Sequence, residues 1–323
     1  MLTYIGRRIL QMIPVFIGVT IILFIMRAPG IIPGDPVRMI AGEKSISKTL
    51  YDEVRKENGL DKPLYVQYGM FFDKLVHGDL GQSYQQQRPV SRILWERFPN
   101  TMKLALAAIC IEAILGLGAG ILSAVKRYSF WDVFVTLSTS VLVSLPVFWL
   151  GLLLQWVIGI KFKQWGLPYL PTSGLNGDHF PQIAHLILPA VTLASVSTAY
   201  AARIARSQLL EVMGQDYIRT AYAKGLSGGE VIWGHGLKNA MIPVVTYLGL
   251  DLGGMIGGTI LTETVFNYPG VGQVIYQAIT LRDWPIVMGG VIIIVVLVML
   301  INLLVDISYA FLDPRIRYGR AAT

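Results

Sequence analysis

Runs of hydrophobic residues long enough to cross a membrane alternate with polar segments along the whole chain. A bilayer core of ~30 Å requires about 20 helical residues. Residues 286–305 form such a run and are almost wholly apolar, and residues 9–26 form another, broken only by Gln11 and Pro14. The remaining runs are residues 101–125, 133–158, 185–202 and 242–261. The pattern predicts six transmembrane helices.

The first run also fits the apolar region of a cleaved signal peptide, because Arg7 and Arg8 precede it. The run is long for such a region, however, and no cleavage motif of the A-x-A type follows it. We therefore expect a first span that is retained in the mature protein.

Single residues within the runs predict how the spans pack. In the second span, Gly116 and Gly120 have the spacing that permits close helix contact. Glu112 should face the bundle interior, because a carboxylate in hydrocarbon is costly; a transport role and a neutral acid hydrogen-bonded between helices are both open.

Pro146 predicts a kink in the third span. The Ala-, Ser- and Thr-rich fourth span is typical of a helix buried among others. Glycines that permit tight contact, with a helix or along a pathway, recur in the fifth span at Gly249, Gly253 and Gly257.

Residues 28–98 form the only sizeable segment with the composition of a water-soluble region. Three short amphipathic helices are predicted in it: one over residues 47–58 that ends at Gly59, one that starts at Pro63, and one that starts at Pro89 and is stopped by Pro99.

Composition and charge agree with a membrane protein. Hydrophobic residues make up 54% of the chain and charged residues 15%, and a soluble domain of this size could not bury so much apolar surface. The net charge of +7 comes from basic residues beside the ends of spans, which indicates topology and not nucleic-acid binding. Their distribution places both termini inside the cell. The single Cys110 lies in an apolar run and is expected to fill a small space in the core.

The sequence offers little support for an enzyme. It contains no G-x-x-x-x-G-K-[ST] loop for ATP, no G-x-S-x-G elbow, and no metal-ligand spacing among its four histidines. If ATP drives this protein, hydrolysis must take place on another chain.

The longest polar interruption in the second half, residues 211–243, carries two helix signatures in succession. Asp216 can cap a short helix that Gly225 closes. Ser227 and Glu230 then have the spacing of a capping box that opens a second helix. A helix–turn–helix of this kind between two spans predicts a docking surface, although an ordinary basic loop would also fit.

Within this interruption, the run RTAYAKGL at residues 219–226, followed by Asn239-Ala240 and Ile242-Pro243, resembles the cytoplasmic EAA loop of ABC importer permeases of the dipeptide, oligopeptide and nickel branch. Arg219-Thr220-Ala221 replaces the Glu-Ala-Ala of the wider consensus, and Pro243 falls later than in its shortest form. Further runs similar to this family are YIGRR near the N-terminus, PGDP at residues 33–36, GLDKPLYVQY at 59–68, HGDLGQS at 77–83, WGLPYLPTSG at 165–174 and LTETVFNYPGVGQ at 261–273.

The resemblance implies an all-α integral membrane protein of the bacterial cytoplasmic membrane with the type I ABC importer permease fold, six transmembrane helices, both ends inside and an extracytoplasmic helical insert. The corresponding regions are residues 1–27 for the N-terminus and first span, 28–98 for the insert, 99–310 for the permease core with its coupling loop at 203–241, and 311–323 for the cytoplasmic tail. The insert is expected either to meet a binding protein or only to shield the bundle.

The resemblance also implies partners and site residues. The partners are a second homologous permease, two ATPase subunits that carry ATP and Mg, an extracytoplasmic substrate-binding protein, a peptide substrate and membrane lipid; nucleic acid is not expected, and this chain itself binds no cofactor. The residues expected to couple to the ATPase are Asp216, Tyr217, Arg219, Thr220, Ala221, Ala223, Lys224, Gly225 and Leu226. The residues expected to line or gate the pathway are Glu112, Asp251, Gly254, Gly258 and Glu263.

Three alternatives to peptide import stay open. Nickel chelates use permeases that look like this one. A secondary transporter would need a coupling-ion site and usually internal repeats, and a non-transporting scaffold or sensor would bind an ATPase without moving a solute.

Overall fold

The computed structural model describes residues 2–27, 37, 47–57, 59–175 and 179–312. Within those ranges the regular structure is helical, apart from an isolated bridge between Gln82 and Pro89. The helices up to the third span are α1 (Leu2–Arg27), α2 (Lys48–Glu57), α3 (Leu64–Val76), α4 (Val90–Val125), α5 (Phe130–Ser144) and α6 (Val147–Gln164). The later helices are α7 (Gln182–Met213), α8 (Asp216–Ala223), α9 (Gly228–Val265), α10 (Val271–Leu281) and α11 (Trp284–Leu312).

Five of these helices, α1, α4, α7, α9 and α11, are long and apolar enough to cross a membrane, and the bent pair α5–α6 makes a sixth span if it is counted as one. The bend between α5 and α6 is 108°. Its cause is local, because Pro146 lacks an N–H and the residue before a proline is pushed out of the helical region. Leu145 accordingly has φ −93° and ψ 133°. The break predicted at Pro146 is confirmed, and it is much sharper than a kink.

The first two helices predicted in the insert are present as α2 and α3, and Gly59 between them has a left-handed φ of +65°. The third prediction is wrong, because the helix that starts at Val90 is not stopped by Pro99 and continues through it as the second span. A proline inside a helix removes one backbone hydrogen bond, and spanning helices tolerate this when neighbours hold them in place. Here Val90, Ile93 and Leu94 are all buried and anchor the first turns of α4.

The chain divides into two compact units. The first contains residues 1–101 and 269–303. In its core, Phe24 of α1 lies 5.5 Å from the ring of Tyr68 and 6.0 Å from that of Phe71, both on α3. The Tyr68 hydroxyl is also 3.0 Å from the Thr20 hydroxyl on α1. These contacts attach α3 of the insert to the first span.

The loop before α4 is held in the same unit by one buried carboxylate. Asp283 accepts hydrogen bonds from the Ser83 hydroxyl, from the Tyr84 N–H at 3.0 Å and from the Gln85 N–H at 3.3 Å. Because Asp283 is only 1% exposed, these three donors provide the partners that a buried carboxylate requires.

The second unit contains residues 102–268 and 304–323. The predicted close contact of Gly116 and Gly120 is confirmed, and the partner is α7. A Cβ atom on Gly116 would lie 2.8 Å from the Ala201 Cβ, and a Cβ on Gly120 would lie 2.5 Å from the Ala202 carbonyl oxygen. Only glycine permits the two helix backbones to approach this closely.

Helix α7 is the buried centre of this unit, as its Ala-rich composition predicts. In its most apolar 18-residue window, 56% of the residues are buried, compared with 11% for α1. The main hydrophobic cluster contains Leu188 and Leu193 of α7, together with Leu104 and Ala108 of α4 and Met255 of α9.

The prediction that Cys110 fills the core is wrong, because this residue is exposed. It lies two residues from both Ala108 and Glu112, which are buried, and a two-residue step is about 200° around a helix.

Candidate coupling site and transport pathway

The polar interruption between the fourth and fifth spans folds into a compact elbow, which we define as residues 214–236. It starts where α7 ends, at Gly214 and Gln215, and α8 follows at once. The predicted N-cap is wrong, since Gln215 occupies the cap position and makes no side-chain cap hydrogen bond, while Asp216 is the first helical residue. A carboxylate in the first turn still interacts favourably with the helix dipole.

The end of α8 at Gly225 is as predicted. Gly225 has φ +81°, its N–H donates to the Tyr222 carbonyl at 2.9 Å, and the Leu226 N–H donates to the Ala221 carbonyl at 3.4 Å. This pair of bonds is the Schellman arrangement, which requires a residue that tolerates the left-handed region. Gly225 therefore has a structural reason to be glycine that does not depend on any partner.

The predicted capping box is confirmed. The Ser227 N–H donates to Glu230 Oε2 at 2.8 Å, and the Glu230 N–H donates to Ser227 Oγ at 3.4 Å. The helix opened there is not a separate short helix, however. It passes through a π-helical segment at Val231–Gly236 and continues without a break to Val265 as the fifth span. The elbow is thus rigidly continuous with the span that follows it.

The elbow has a small hydrophobic core of its own. Ile218 and Ala221 of α8 pack against Val231, and Met213 and Leu226 close the cluster. Ile218 is 1% exposed and Val231 is 0% exposed. Ala221, one of the residues expected to couple to the ATPase, is 6% exposed and packs inside the elbow in this chain.

Most of the other predicted coupling residues lie on the outer surface of α8 and the turn after it. The exposed ones are Asp216, Tyr217, Arg219, Thr220, Ala223, Lys224 and Gly225, and Leu226 is half-buried. Two aromatic residues that the sequence interpretation did not include are exposed beside them, Tyr222 at 45% and Trp233 at 69%. Trp233 sits in the π-helical segment, whose wider turns do not follow the 3.6-residue periodicity used to place buried positions.

A side-chain hydrogen bond connects the two helices of the elbow. The Asn239 amide nitrogen on α9 donates to the Tyr217 hydroxyl on α8 at 2.9 Å. Together with the Ile218–Val231 packing, this bond joins α8 to the fifth span at two separate points.

The predicted pathway residues differ strongly in burial. Glu112 and Glu263 are both 0% exposed, Asp251 is half-buried, and Gly254 and Gly258 are exposed. Asp251 is the charged neighbour of Glu112, so α4 and α9 bring these two carboxyl groups together. Within the described residues, neither side-chain oxygen of Glu112 has a hydrogen-bond partner. Glu263 lies apart from this pair, about 18 Å further along α9 at about 1.5 Å per residue.

Two family profiles match this chain. A family profile described as "Binding-protein-dependent transport system inner membrane component" matches residues 116–318, which contain the elbow, α7 and α9. The chain belongs to this family. A second profile, for the N-terminal part of the membrane component of such systems, matches residues 1–105. The permease resemblance predicted from the elbow is therefore confirmed over almost the whole chain.

Relatives with known roles match from end to end. The dipeptide transport system permease protein DppB of Escherichia coli K12 is 39% identical, with 99% of this chain and 100% of the relative covered. The oligopeptide transport system permease protein AppB of Bacillus subtilis is 39% identical, with 98% and 100% covered. The glutathione transport system permease protein GsiC of Escherichia coli O6:H1 is also 39% identical, with the same coverage. These three permeases are named for different substrates and are equally identical to this chain. Overall sequence identity therefore does not select one substrate among them.

Solved structures confirm the fold. The methionine ABC transporter MetNI has a chain that superposes with a TM-score of 0.54 at 20% identity, covering 69% of this chain and 97% of that one. A chain of an amino acid ABC transporter superposes with a TM-score of 0.52 at 16% identity, covering 67% and 92%. The protein is thus an all-α, multi-pass inner membrane protein with the type I importer permease fold. No cluster of three or more metal-ligating side chains occurs among the residues that the structure describes.

Proposed function

We propose that this chain is one of the two transmembrane subunits of an ATP-driven importer of di- and oligopeptides, and that the elbow docks onto an ATPase subunit. The observation that carries the proposal is the construction of the elbow. It is held rigid by its own buried core at Ile218, Ala221 and Val231 and is continuous with α9, yet it leaves one face of α8 exposed. The full-length relatives are permeases of peptide transport systems.

This assignment implies the other subunits of the transporter and the location of each region of this chain. The partners are a second homologous permease, two ATPase subunits that bind ATP and Mg and carry out hydrolysis, and a substrate-binding protein outside. This chain binds no cofactor. The insert at residues 28–98 faces the outside and meets the binding protein, the coupling loop spans residues 203–241 of the permease core at 99–310, and the basic tail at 311–323 lies in the cytoplasm.

In this mechanism the exposed face of α8 sits in a cleft of the ATPase. Asp216, Arg219 and Lys224 pair with its side chains, and the small Ala223 and Gly225 allow close approach. When the ATPases close, they pull on α8. The Tyr217–Asn239 bond and the Ile218–Val231 packing transmit the movement to α9, and the two-residue connection at 214–215 transmits it to α7. Rotation of the fourth and fifth spans then opens the pathway.

For the pathway itself, we propose that Asp251, Gly254 and Gly258 form the surface that the peptide passes. Gly254 and Gly258 expose the backbone of α9 on one face, and Asp251 is half-buried one turn before Gly254. Polar groups on that surface suit a peptide backbone and its charged termini. Glu112 and Glu263 do not contact the peptide directly but lie behind the pathway surface, since both are fully buried in this chain.

The docking proposal is tested with Ala223→Trp, because Ala223 is exposed and its enlargement leaves the elbow's core untouched. In proteoliposomes that contain the whole assembly, the variant should insert normally but lose ATP-dependent uptake of a labelled dipeptide and release the ATPase subunits during purification. Ala223→Ser is the control and should behave as the unaltered protein. Normal uptake by a correctly inserted Ala223→Trp would refute docking through this face.

The same proteoliposomes test the cargo and the energy source. Competition of the labelled dipeptide by a longer peptide, by glutathione and by a nickel chelate ranks the cargoes. The peptide assignment fails if only the nickel chelate competes. Uptake that is driven by an ion gradient, without ATP and without the ATPase subunits, would instead identify a secondary transporter.

A further inference from the structure

A cavity of about 440 Å³ lies within the first unit, and none of its lining residues belongs to the elbow or to the proposed pathway. Its walls are formed by the end of α1, by α3, by the loop at residues 79–87 and by the first three turns of α11. All of these segments belong to the same compact unit.

The lining of this cavity is divided into an apolar part and a polar part. Phe24 of α1 and Met288 and Ile292 of α11 lie on the apolar side. Arg27 and Lys74 are the cations of the lining, and the Asp79 N–H at the start of the loop donates to the Lys74 carbonyl at 2.9 Å. A ligand that fills the cavity must therefore be amphipathic, with a polar group at one end and a hydrocarbon at the other.

Two cations, Arg27 and Lys74, line the cavity. The nearby carboxylates are already engaged: Asp79 accepts the Gly81 N–H at 2.8 Å, and Asp283, behind the lining, accepts the Ser83 hydroxyl and two backbone N–H groups. Among the described residues, neither Arg27 nor Lys74 takes part in an ion pair. Burial raises the pKa of the Tyr84 phenol, the charge of Arg27, which lines the same cavity, opposes that rise, and Asp283 adds to it. Two cations and a hydroxyl suit an anion with several oxygen acceptors.

The position of the cavity along the spans matches this polarity. Arg27 is the last residue of the first span, Ile5–Arg27, so the polar side lies at the level of the membrane–water boundary. Met288 and Ile292 lie within the last span, Trp284–Ser308, so the apolar side extends into the hydrocarbon region. With the N-terminus inside, this boundary is the outer one.

We propose that this cavity binds an anionic phospholipid of the outer leaflet, with its phosphate headgroup at Arg27 and Lys74 and an acyl chain along Phe24, Met288 and Ile292. A soluble anion would use only the two cations and would leave the apolar side empty. A zwitterionic lipid would bring its own cation next to them. The lipid would connect the insert, through α3, to the first and last spans.

The test uses the whole transporter, purified, stripped of lipid and titrated with phosphatidylglycerol or with phosphatidylcholine of the same acyl chains, with bound lipid counted by native mass spectrometry. The variant is Arg27→Gln with Lys74→Gln. The matched control is Arg55→Gln with Lys56→Gln, which removes the same charge from the exposed face of α2, outside the cavity.

We expect the cavity variant to bind phosphatidylglycerol about 30-fold more weakly than the control, since it lacks two cations and each cation near an anionic lipid contributes on the order of a kilocalorie per mole. Binding of phosphatidylcholine should change little in either variant. The proposal is overturned if both double variants bind phosphatidylglycerol alike, or if glycerol phosphate or a dipeptide displaces the lipid at a concentration similar to that of the lipid itself.

Discussion

The Arg206 guanidinium on α7 donates two hydrogen bonds to the Asp132 carboxylate on α5, from Nε to Oδ1 at 2.8 Å and from Nη2 to Oδ2 at 2.9 Å. The same carboxylate accepts the Tyr128 N–H at 2.9 Å and the Ser123 hydroxyl of α4. Asp132 is 5% exposed, so a single buried group ties three helices together two turns before α7 enters the elbow. Any movement of α7 that the elbow imposes therefore also acts on α4 and α5.

Removal of this carboxylate should destabilise the protein. Asp132→Ala leaves the Arg206 charge without its partner, and because 31% of that side chain is exposed to solvent we expect a cost of about 1–2 kcal/mol, below the ~3 kcal/mol of a fully buried pair. We expect a clearly lower midpoint of thermal unfolding for the purified protein. Arg203→Ala is the control, since Arg203 is an exposed cation on the same helix that contacts only hydroxyl groups. A melting curve for Asp132→Ala that overlays that of Arg203→Ala would contradict this role.

Replacing glycine by alanine at two nearby positions of α4, Gly118 and Gly120, should have different effects on stability. Gly120→Ala places a Cβ 2.5 Å from the Ala202 carbonyl oxygen, so α4 and α7 must move apart, and overpacking of this kind costs about 1–3 kcal/mol. Gly118→Ala meets nothing within 4 Å and should leave stability unchanged or slightly raised. Thermal unfolding of the two purified variants, side by side, measures the difference. Equal stability would show that the close α4–α7 contact is absent.

Ala221 and Ala223 lie on different faces of α8 and should respond differently to the same enlargement. Ala221→Leu overfills the core with Ile218 and Val231, so we expect faster hydrogen exchange across the elbow as well as lost uptake. Ala223→Leu should keep the exchange pattern of the unaltered elbow and lose only ATPase binding. If both variants exchange alike, the burial of Ala221 inside the elbow is not what distinguishes them.

The Tyr217–Asn239 bond should affect coupling more than folding. Tyr217→Phe removes a hydrogen bond worth about 1 kcal/mol between α8 and α9. We expect ATP hydrolysis to persist while the number of peptides imported per ATP falls. Tyr222→Phe removes a hydroxyl from an exposed tyrosine of the same helix and should leave this ratio unchanged. An unchanged ratio in Tyr217→Phe would assign the transmission to the apolar contacts alone.

Local signals in the sequence predicted most of the single features that the structure contains. The Ser227–Glu230 capping box, the left-handed Gly225, the break at Pro146 and the contact made by Gly116 and Gly120 all depend on one to four neighbouring residues, and all are present. Predictions failed where distant residues decided the outcome. Pro99 does not end its helix, because the turns before it are anchored by buried packing within the first unit. The cap at Asp216 failed for a local reason instead, because its neighbour Gln215 takes the N-cap position and Asp216 begins the helix.

By itself, the sequence predicted a membrane protein of six spans and, through short motifs that resemble the family, a permease of the peptide group; that its elbow docks onto an ATPase stays a prediction. Those conclusions follow from hydrophobic length, charge near the ends of spans and short motifs, all of which are local along the chain. Only the tertiary structure decided that Ala221 faces inward while Ala223 faces outward, that Glu112 meets Asp251, and that Asp132 meets Arg206 from 74 residues away. The physical reason is that a carboxylate or a small side chain has many possible partners in sequence, and the packing of the helices decides which of them it contacts in space.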